Sequence, residues 1–343
     1  MWQLGDLSLT YVPADMSAFG TPDIVLFATQ TTIATFGIFG HVQIFYATWK
    51  KKQIQTKYGL LLLQLSVAHL FCIIGELTNT VLISCPTQTS EMACFLILSQ
   101  YIFFEIVQAV LMLSISLDLF MAIVMPMFYR DMDVKKSCII SGICSCIAAG
   151  IYATVFICLV SPSNSIVCTM QALRFVQRLS TSHNMIHFLL GLAQIMCYAT
   201  AYLTEFIRGG RIFHKANPTA CYRNRHKKSM RTISVLITIY LLTWFASIII
   251  DEITQRLGEE DSKNYHWAPL RAATGILQML TFSQCFYVSI WRSSEYRNII
   301  KKMWKGWFSF CFPRWCSDLV IKCKRSQIKP VTVTTVQTSQ LKK

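Results

Sequence analysis

Charged residues are scarce in this chain of 343 residues. Lys, Arg, Asp and Glu together make up 14% of it, whereas a soluble domain has about a quarter. Acidic residues are the scarcer kind, with 17 Asp and Glu against 32 Lys and Arg, and long stretches contain almost no charge of either sign. A bilayer core about 30 Å thick needs roughly 20 apolar residues per helix. Because 53% of the residues are hydrophobic, the chain has enough apolar sequence for several membrane spans.

The sequence also lacks the motifs that would indicate catalysis. It contains no G-x-S-x-G, H-E-x-x-H or phosphate-binding-loop pattern, and no clustered histidine boxes. We therefore expect no enzyme activity, no cofactor and no bound metal. The net charge of +15 comes from short Lys and Arg runs between apolar segments, without a basic stripe interleaved with aromatic residues. This arrangement is typical of membrane topology signals and argues against nucleic acid as a partner.

Seven apolar segments are long enough to cross a bilayer, and they lack the period-two alternation of barrel strands. Every backbone amide must be hydrogen-bonded in lipid, so we expect each segment to be a helix. We number them as spans one to seven. Their approximate bounds are Ile24–Thr48, Tyr58–Ile83, Cys94–Val124, Ser137–Val160, His183–Ile207, Met230–Glu252 and Ala268–Trp291. The sequence thus predicts an all-α membrane protein built as a seven-transmembrane helix bundle.

The distribution of basic residues predicts the orientation of the bundle. The connections after spans one, three, five and seven are rich in Lys and Arg, and those between them are acidic or nearly neutral. Because Lys and Arg are enriched in cytoplasmic loops, we expect the N-terminus outside and the C-terminus in the cytoplasm. The first 23 residues contain no basic n-region, so we expect span one to act as an uncleaved signal-anchor.

Four regions follow from this topology. They are an extracellular N-terminus (1–23), the seven-span domain (24–291), an amphipathic membrane-surface helix (292–310) and a largely disordered cytoplasmic tail (311–343). The helix after span seven combines Trp304 and Trp307 with several lysines, so we expect it to lie on the inner leaflet. Cys311 and Cys316 follow it, either as palmitoylated residues in contact with membrane lipid or as unmodified thiols.

Three of the 14 cysteines lie on the predicted outer side, where the compartment is oxidising and a disulfide can form. Cys94 opens span three and Cys168 lies in the second outer loop, so a Cys94–Cys168 bond would pin that loop over the bundle. Cys85 is left over and could compete for either partner.

The end of span three carries a family resemblance. It reads S-L-D-L-F-M-A-I-V-M-P from residue 116 to 126, followed by Tyr129 and Arg130. This resembles the S-x-D-R-Y-x-A-I-x-x-P-x-x-Y stretch of rhodopsin-like G-protein-coupled receptors. Further landmarks occur in the same order as in that family: Gly40, Leu65-Ser66-Val67-Ala68, Tyr240, Trp244 and Tyr287.

A more specific resemblance rests on three other stretches. G-I-F-G-H-V-Q-I-F-Y-A-T at 37–48, the acidic Glu76 and W-R-S-S-E-Y-R at 291–297 resemble the nematode chemosensory receptors called serpentine receptor class sx. The resemblance covers about residues 24 to 297. It implies a multi-pass receptor of the plasma membrane, including that of sensory cilia. Such a receptor binds a small molecule or peptide from outside and signals to a heterotrimeric G protein.

The chain departs from the family pattern at several landmarks. Leu119 replaces the arginine that helps to hold the inactive state and meets the G protein, and leucine carries no charge and donates no hydrogen bond. His41 and His69 replace the Asn of span one and the Asp of span two, so the carboxylate that holds sodium in many relatives is absent. Ala246 replaces the proline of span six and Ser283-Gln284 replaces Asn-Pro in span seven. These changes fit either a divergent receptor with altered switching or a chain under relaxed selection.

Ionisable and polar side chains at bilayer depth are functional-site candidates, because they are costly in lipid and face the bundle interior. Tyr101, Glu105 and Gln108 share one face of span three, which by resemblance lines the ligand cavity, and Glu76 of span two would face the same cavity. These groups could contact a small ligand, or they could be protonated or hydrogen-bonded and merely tie helices together.

Span six adds Trp244, which resembles the family's toggle residue but could equally be a core aromatic, with Ser247 and Asp251 further toward the outer mouth. His183 and His187 have the i, i+4 spacing of zinc ligands, but two ligands without a third are a weak signal. We expect these two histidines to be interfacial residues at the start of a helix. His41 and His69 are expected to pack against each other.

The cytoplasmic side has its own candidates. Asp118 and Leu119 end span three, Arg130 and the basic segment 223–231 face the cytoplasm, and Tyr287 ends span seven. By resemblance these residues form the switch and the G-protein surface, although Asp118 is also expected to anchor the neighbouring cytoplasmic loop.

Two alternatives to a signalling receptor remain at the level of sequence. Because Leu119 replaces the family arginine, the chain could also be a seven-span protein that folds without signalling, couples atypically or assists another receptor. A channel or transporter would predict polar rings or paired Gly/Pro breaks in its helices, and neither stands out. Span seven contains no lysine, which excludes an opsin-type Schiff base.

Overall fold

Seven long helices occupy the positions of the seven predicted spans. The computed structural model describes residues 10–11, 21–84, 87–160, 165–170, 177–212, 220–260 and 268–311. We label the long helices α1 (Thr21–Lys50), α2 (Lys57–Ser84), α3 (Glu91–Val124), α4 (Val134–Leu159), α5 (Gln177–Ile212), α6 (Ala220–Glu260) and α7 (Ala268–Arg292). A 3-10 turn (Lys52–Ile54) and a short loop helix (Pro126–Asp131) lie in the first and third connections.

Two helices extend furthest beyond the apolar segments that predicted them. α5 has 36 residues and α6 has 41. At 1.5 Å per residue α6 is about 60 Å long, roughly twice the thickness of a hydrocarbon core of about 30 Å. The predicted start of span six at Met230 is where the sequence becomes apolar. The helix itself begins at Ala220, because the intervening Arg and Lys residues are good helix formers outside lipid.

Hydropathy alone supports six of the spans. Within the described residues six helices are long and apolar enough to cross a membrane. α7 has 25 residues but carries more polar groups, among them Gln278, Thr281 and Ser283, all of which are buried against other helices. A span whose polar side chains face the bundle interior does not expose them to lipid.

α3 is the central helix of the bundle and packs against α2, α4, α5 and α6. α1 packs against α2 and α7, and α6 packs against α7. The start of α3 is fixed by Ser90, whose hydroxyl accepts a hydrogen bond from the Ala93 amide at 3.2 Å, with Glu91 in the first turn favouring the helix dipole. The predicted helix bundle is confirmed.

α4 lies at the periphery of the bundle. Its buried residues are Cys138, Ser145, Ala149 and Phe156, whose spacings of seven, four and seven place them on one helical face. The opposite face is exposed and aliphatic, as expected for a surface in contact with lipid tails: Ile139, Ile140, Ile143, Ile147 and Ile151.

Two contacts of His41 join α1 to α7 and to α2, away from the ends of these helices. His41 Nε2 donates to the Phe282 carbonyl oxygen at 2.7 Å, and the His41 and His69 rings lie 5.3 Å apart in an edge-on arrangement. This arrangement supports the interpretation that both histidines serve helix packing. A histidine in span one thus bonds to the backbone of span seven.

A small antiparallel sheet on the predicted outer side was not foreseen. β1 (Thr10–Tyr11), β2 (Thr87–Ser90) and β3 (Ser165–Val167) pair in the order β1-β2-β3, with Thr10 opposite Gln88 and Gln88 opposite Val167. Strands of two to four residues are too short to show an alternating pattern in the sequence. The sheet brings the N-terminal segment and the first two outer loops together.

The second outer loop is held to α3 by the Cys94–Cys168 disulfide, with Cα atoms 5.3 Å apart, and this pairing is confirmed. The same loop is tied to α2 because the Met170 amide donates to Asn79 Oδ1 at 2.8 Å. Cys85 lies outside the described residues.

After α7 the chain continues as α8 (Ser294–Cys311), a helix of 18 residues. The chain to Arg297 forms one compact unit and the chain from Asn298 onward a second. The location of α8 on the membrane surface and the lipidation of Cys311 stay predictions, and Cys316 lies outside the described residues.

The disulfide yields a first prediction. Cys94→Ser and Cys168→Ser should each reduce surface expression several-fold, because loss of a native disulfide typically costs about 2–5 kcal/mol of stability. Cys85→Ser is the control and should leave surface expression unchanged. Surface labelling of an N-terminal epitope in intact cells measures all three variants. An equal loss for Cys85→Ser would contradict an exclusive role for the Cys94–Cys168 pair.

Candidate ligand cavity and cytoplasmic switch

All seven residues predicted to line the ligand cavity are buried inside the bundle. They are Glu76, Tyr101, Glu105, Gln108, Trp244, Ser247 and Asp251. They do not form one continuous cluster, however. The structure divides them into a group beside α7, a group beside α5 and an aromatic group on α6.

The group beside α7 contains Tyr101 and Glu76. The Tyr101 hydroxyl donates to Gln278 Oε1 at 3.4 Å, which links α3 to α7. The Tyr101 ring lies directly on Gly75 of α2, where a Cβ atom would come within 2.5 Å of the Tyr101 Cβ. A side chain at position 75 would therefore displace the ring.

Glu76 lies where α1, α2 and α7 approach one another. Gln30 Oε1 of α1 accepts a hydrogen bond from the Thr80 hydroxyl at 2.8 Å, one turn from Glu76. A Cβ atom at Gly275 would lie 2.5 Å from Gln30 Nε2 and 3.2 Å from Glu76 Oε1. The glycine thus lets α7 approach two polar side chains at once.

The group beside α5 contains Glu105, which is fully buried. Its Oε1 lies 3.6 Å from His183 Nε2, and the His183 and His187 ring centroids are 4.5 Å apart. Glu105, His183 and His187 offer ligand atoms that all lie within 4.8 Å of one another. Gln108 is also fully buried one turn along α3, on the side of His69.

His183 and His187 lie within α5 rather than at its start, while their location near the membrane interface stays a prediction, since the apolar part of the helix begins at His183. α5 begins at Gln177, so both histidines lie inside the helix, and they are 4% and 2% exposed. Their i, i+4 spacing was visible in the sequence, as was an intramembrane acid at Glu105. The sequence could not show that span three and span five meet at these residues.

The aromatic group is centred on Trp244. Its ring lies 5.9 Å from and nearly parallel to the Tyr240 ring, and it also approaches His187 at 5.0 Å and Phe282 at 6.4 Å. The Ser247 hydroxyl donates to the Trp244 carbonyl oxygen at 2.9 Å, so it is engaged within its own helix. Asp251 is buried one turn further out.

The predicted cytoplasmic residues separate in the structure. Lys57 Nζ of α2 lies 2.6 Å from Asp118 Oδ1, and the Tyr129 hydroxyl of the loop helix donates to Asp118 Oδ2 at 3.1 Å. Lys57 also lies over the Tyr129 ring at 4.7 Å. Asp118 therefore ties α3 to α2 and to the third connection, which supports its interpretation as a loop anchor.

The other cytoplasmic residues do not join this network. Leu119 is buried at 3% exposure. Arg130 is exposed and pairs with its neighbour Asp131 at 3.6 Å. Tyr287 is 41% exposed, and its hydroxyl donates to the Phe36 carbonyl oxygen of α1 at 3.0 Å. Tyr287 thus lies at the seam of α1 and α7 rather than beside Asp118.

Sequence reasoning also missed a lipid-facing groove between α3, α4 and α5. It has a volume of about 410 Å³, and its lining is almost entirely apolar: Ile106, Val110, Ile151, Val155, Ile186 and Leu190, with Tyr152 at its polar edge. Tyr152 also contacts His183, so the groove adjoins the group beside α5.

A seven-helix membrane bundle with a disulfide-held outer loop, buried polar and aromatic groups and a tied cytoplasmic end of α3 defines a G-protein-coupled receptor fold. The chain belongs to the family of serpentine type 7TM GPCR chemoreceptors, Srsx, whose family model matches residues 34–304. A search of curated proteins finds no match to the chain. The chain is accordingly a candidate chemosensory G-protein-coupled receptor and a multi-pass membrane protein, and its family is one of receptors rather than enzymes.

The Lys57–Asp118 pair yields a second prediction. Its side chains are only 10% and 8% exposed, and removing one partner of a buried ion pair costs about 3–5 kcal/mol. Lys57→Met and Asp118→Leu should therefore each lower the melting temperature of the detergent-purified receptor by several degrees. The double variant should recover most of this loss, because no buried charge is then left alone.

The control for these variants is Arg130→Met, since the Arg130–Asp131 pair is exposed and should contribute little to the stability of the receptor. Additive losses in the double variant would show that Lys57 and Asp118 do not stabilise the receptor through each other.

Proposed function

We propose that this chain is a plasma-membrane chemoreceptor, located in sensory cilia, that binds a small molecule or peptide from outside. The observation that supports this most directly is the polar face of α3, where Tyr101, Glu105 and Gln108 are all buried beneath the disulfide-held outer loop. Polar and ionisable residues at bilayer depth are costly and face the bundle interior, and such residues mark ligand or ion sites by default.

The proposed ligand contacts come from several helices. α3 contributes Tyr101, Glu105 and Gln108, and α2 contributes Glu76. α6 contributes Trp244, Ser247 and Asp251. A ligand with different affinities for two arrangements of these helices would shift their populations, which is the physical basis of receptor switching.

Coupling to a heterotrimeric G protein is proposed to occur through the cytoplasmic ends of the helices. These include Arg130, which is exposed, and α8, whose last residue is Cys311. Leu119 cannot supply the charge that the family's arginine brings to this surface. The Lys57–Asp118–Tyr129 network is proposed to restrain the end of α3 instead, because it connects α3 to both neighbouring elements.

The coupling proposal is tested by G-protein activation in a heterologous cell under a panel of odorants and small peptides. The native chain is compared with Leu119→Arg, with Leu119→Gln as an uncharged polar control and with surface expression matched. We expect ligand-dependent activation by the native chain and a changed response only in Leu119→Arg, because only arginine restores the charge. Activation confined to Leu119→Arg would show that the native chain has lost the usual coupling, and would favour the non-signalling alternative.

The ligand-contact proposal is tested by Tyr101→Phe. Loss of one hydrogen bond is worth about 0.5–1.5 kcal/mol, so the half-maximal ligand concentration should rise roughly two- to twelvefold. Tyr202→Phe on the exposed side of α5 is the matched control and should leave the response unchanged. An unchanged ligand concentration in Tyr101→Phe, with normal surface expression, would remove Tyr101 from the proposed contacts.

A further inference from the structure

Three metal-ligating side chains from two helices meet in the outer half of the bundle. Glu105 of α3 and His183 and His187 of α5 are 0%, 4% and 2% exposed, and their ligand atoms lie within 4.8 Å of one another. We propose that Glu105, His183 and His187 form a binding site for one zinc ion that joins α3 to α5. The site shares Glu105 with the proposed ligand contacts, but zinc binding is measured without ligand or G protein, so its failure would leave the proposed function standing.

The geometry of the three side chains is close to that of a zinc site. Zinc bonds of about 2.0–2.1 Å in a tetrahedral arrangement place neighbouring ligand atoms roughly 3.3–3.4 Å apart. His183 Nε2 and Glu105 Oε1 are already 3.6 Å apart. His183 and His187 are one turn apart on the same face of α5, so both imidazoles project toward α3. Since all three ligand atoms lie within 4.8 Å of one another, each pair exceeds the tetrahedral spacing by at most about 1.5 Å.

The residues around the cluster hold the histidines in place. The Tyr152 hydroxyl of α4 lies 2.6 Å from His183 Nδ1. When Nδ1 carries the proton and donates a hydrogen bond to the phenol oxygen, the Nε2 lone pair points at Glu105 and is available to a metal. An oriented second nitrogen of this kind is typical of metal-bound histidines. His187 is supported on its other side by the Trp244 ring at 5.0 Å.

Charge and ligand chemistry also favour zinc at this place. A fully buried carboxylate is costly unless a positive charge compensates it. Two neutral imidazoles and one carboxylate are the donor set of several zinc sites with three protein ligands, which keep a fourth position for water. The competing arrangement is an ion pair between Glu105 and a protonated His183. That pair would not require His187, so His187 distinguishes the two.

The test uses the full-length receptor purified in detergent, stripped with a chelator and titrated with Zn²⁺ alone. We expect one bound zinc per chain by elemental analysis after dialysis, and a higher melting temperature in zinc than in chelator. Glu105→Gln and His187→Gln should weaken zinc binding by more than about 100-fold, and Tyr152→Phe, which removes only the orienting hydroxyl, by about tenfold. Glu205→Gln, about 27 Å along α5 from His187, is the matched control and should bind zinc as the native chain does.

X-ray absorption at the zinc edge of the native chain provides a measurement that needs no folded variant. The expected spectrum shows four nitrogen or oxygen neighbours at about 2.0–2.1 Å with outer-shell scattering from two imidazoles. A sulfur neighbour at about 2.3 Å would overturn the proposal in favour of a cysteine site. Zinc binding that is absent in the native chain, or equal in His187→Gln, would also overturn it.

Discussion

A bilayer supplies no hydrogen-bonding groups and little hydrophobic drive between helices, and this constraint governs how the bundle is held together. Polar side chains must therefore reach across to another helix. Gln194 of α5 donates to the Ala109 carbonyl of α3 at 3.2 Å, Thr281 of α7 donates to Thr243 of α6 at 2.8 Å, and Gln64 of α2 donates to the Cys138 carbonyl of α4 at 3.0 Å. Each bond joins a different pair of helices, so together they fix which helices are neighbours.

The sequence predicted the number and order of the helices because their apolar lengths are set by the bilayer, which every span must match. It did not predict helix ends outside lipid, where apolar length carries no information, as the start of α6 at Ala220 shows. The outer sheet and the position of His183 depend on contacts between residues far apart in the chain. Such contacts have no periodic signature, which is why Glu105 and His183 were found separately and not as a pair.

The end of α3 illustrates how a lost family residue changes a structure. The sequence drew attention to Leu119 because an arginine is missing there. In the structure the neighbouring Asp118 keeps two partners from other elements, Lys57 and Tyr129, while Leu119 packs as a core residue. The Asp118 carboxylate is thus satisfied without the arginine.

The great length of α6 has a mechanical consequence. From Trp244 to its cytoplasmic start at Ala220, α6 extends over 24 residues, or about 36 Å. Ala246 stands where the family has a proline, so the helix has no proline kink to absorb bending near Trp244. A rigid rod pivoting at that level acts as a lever: a tilt of about 10° would carry its far end roughly 6 Å. Movements near the buried aromatic group are thereby magnified at the basic cytoplasmic end.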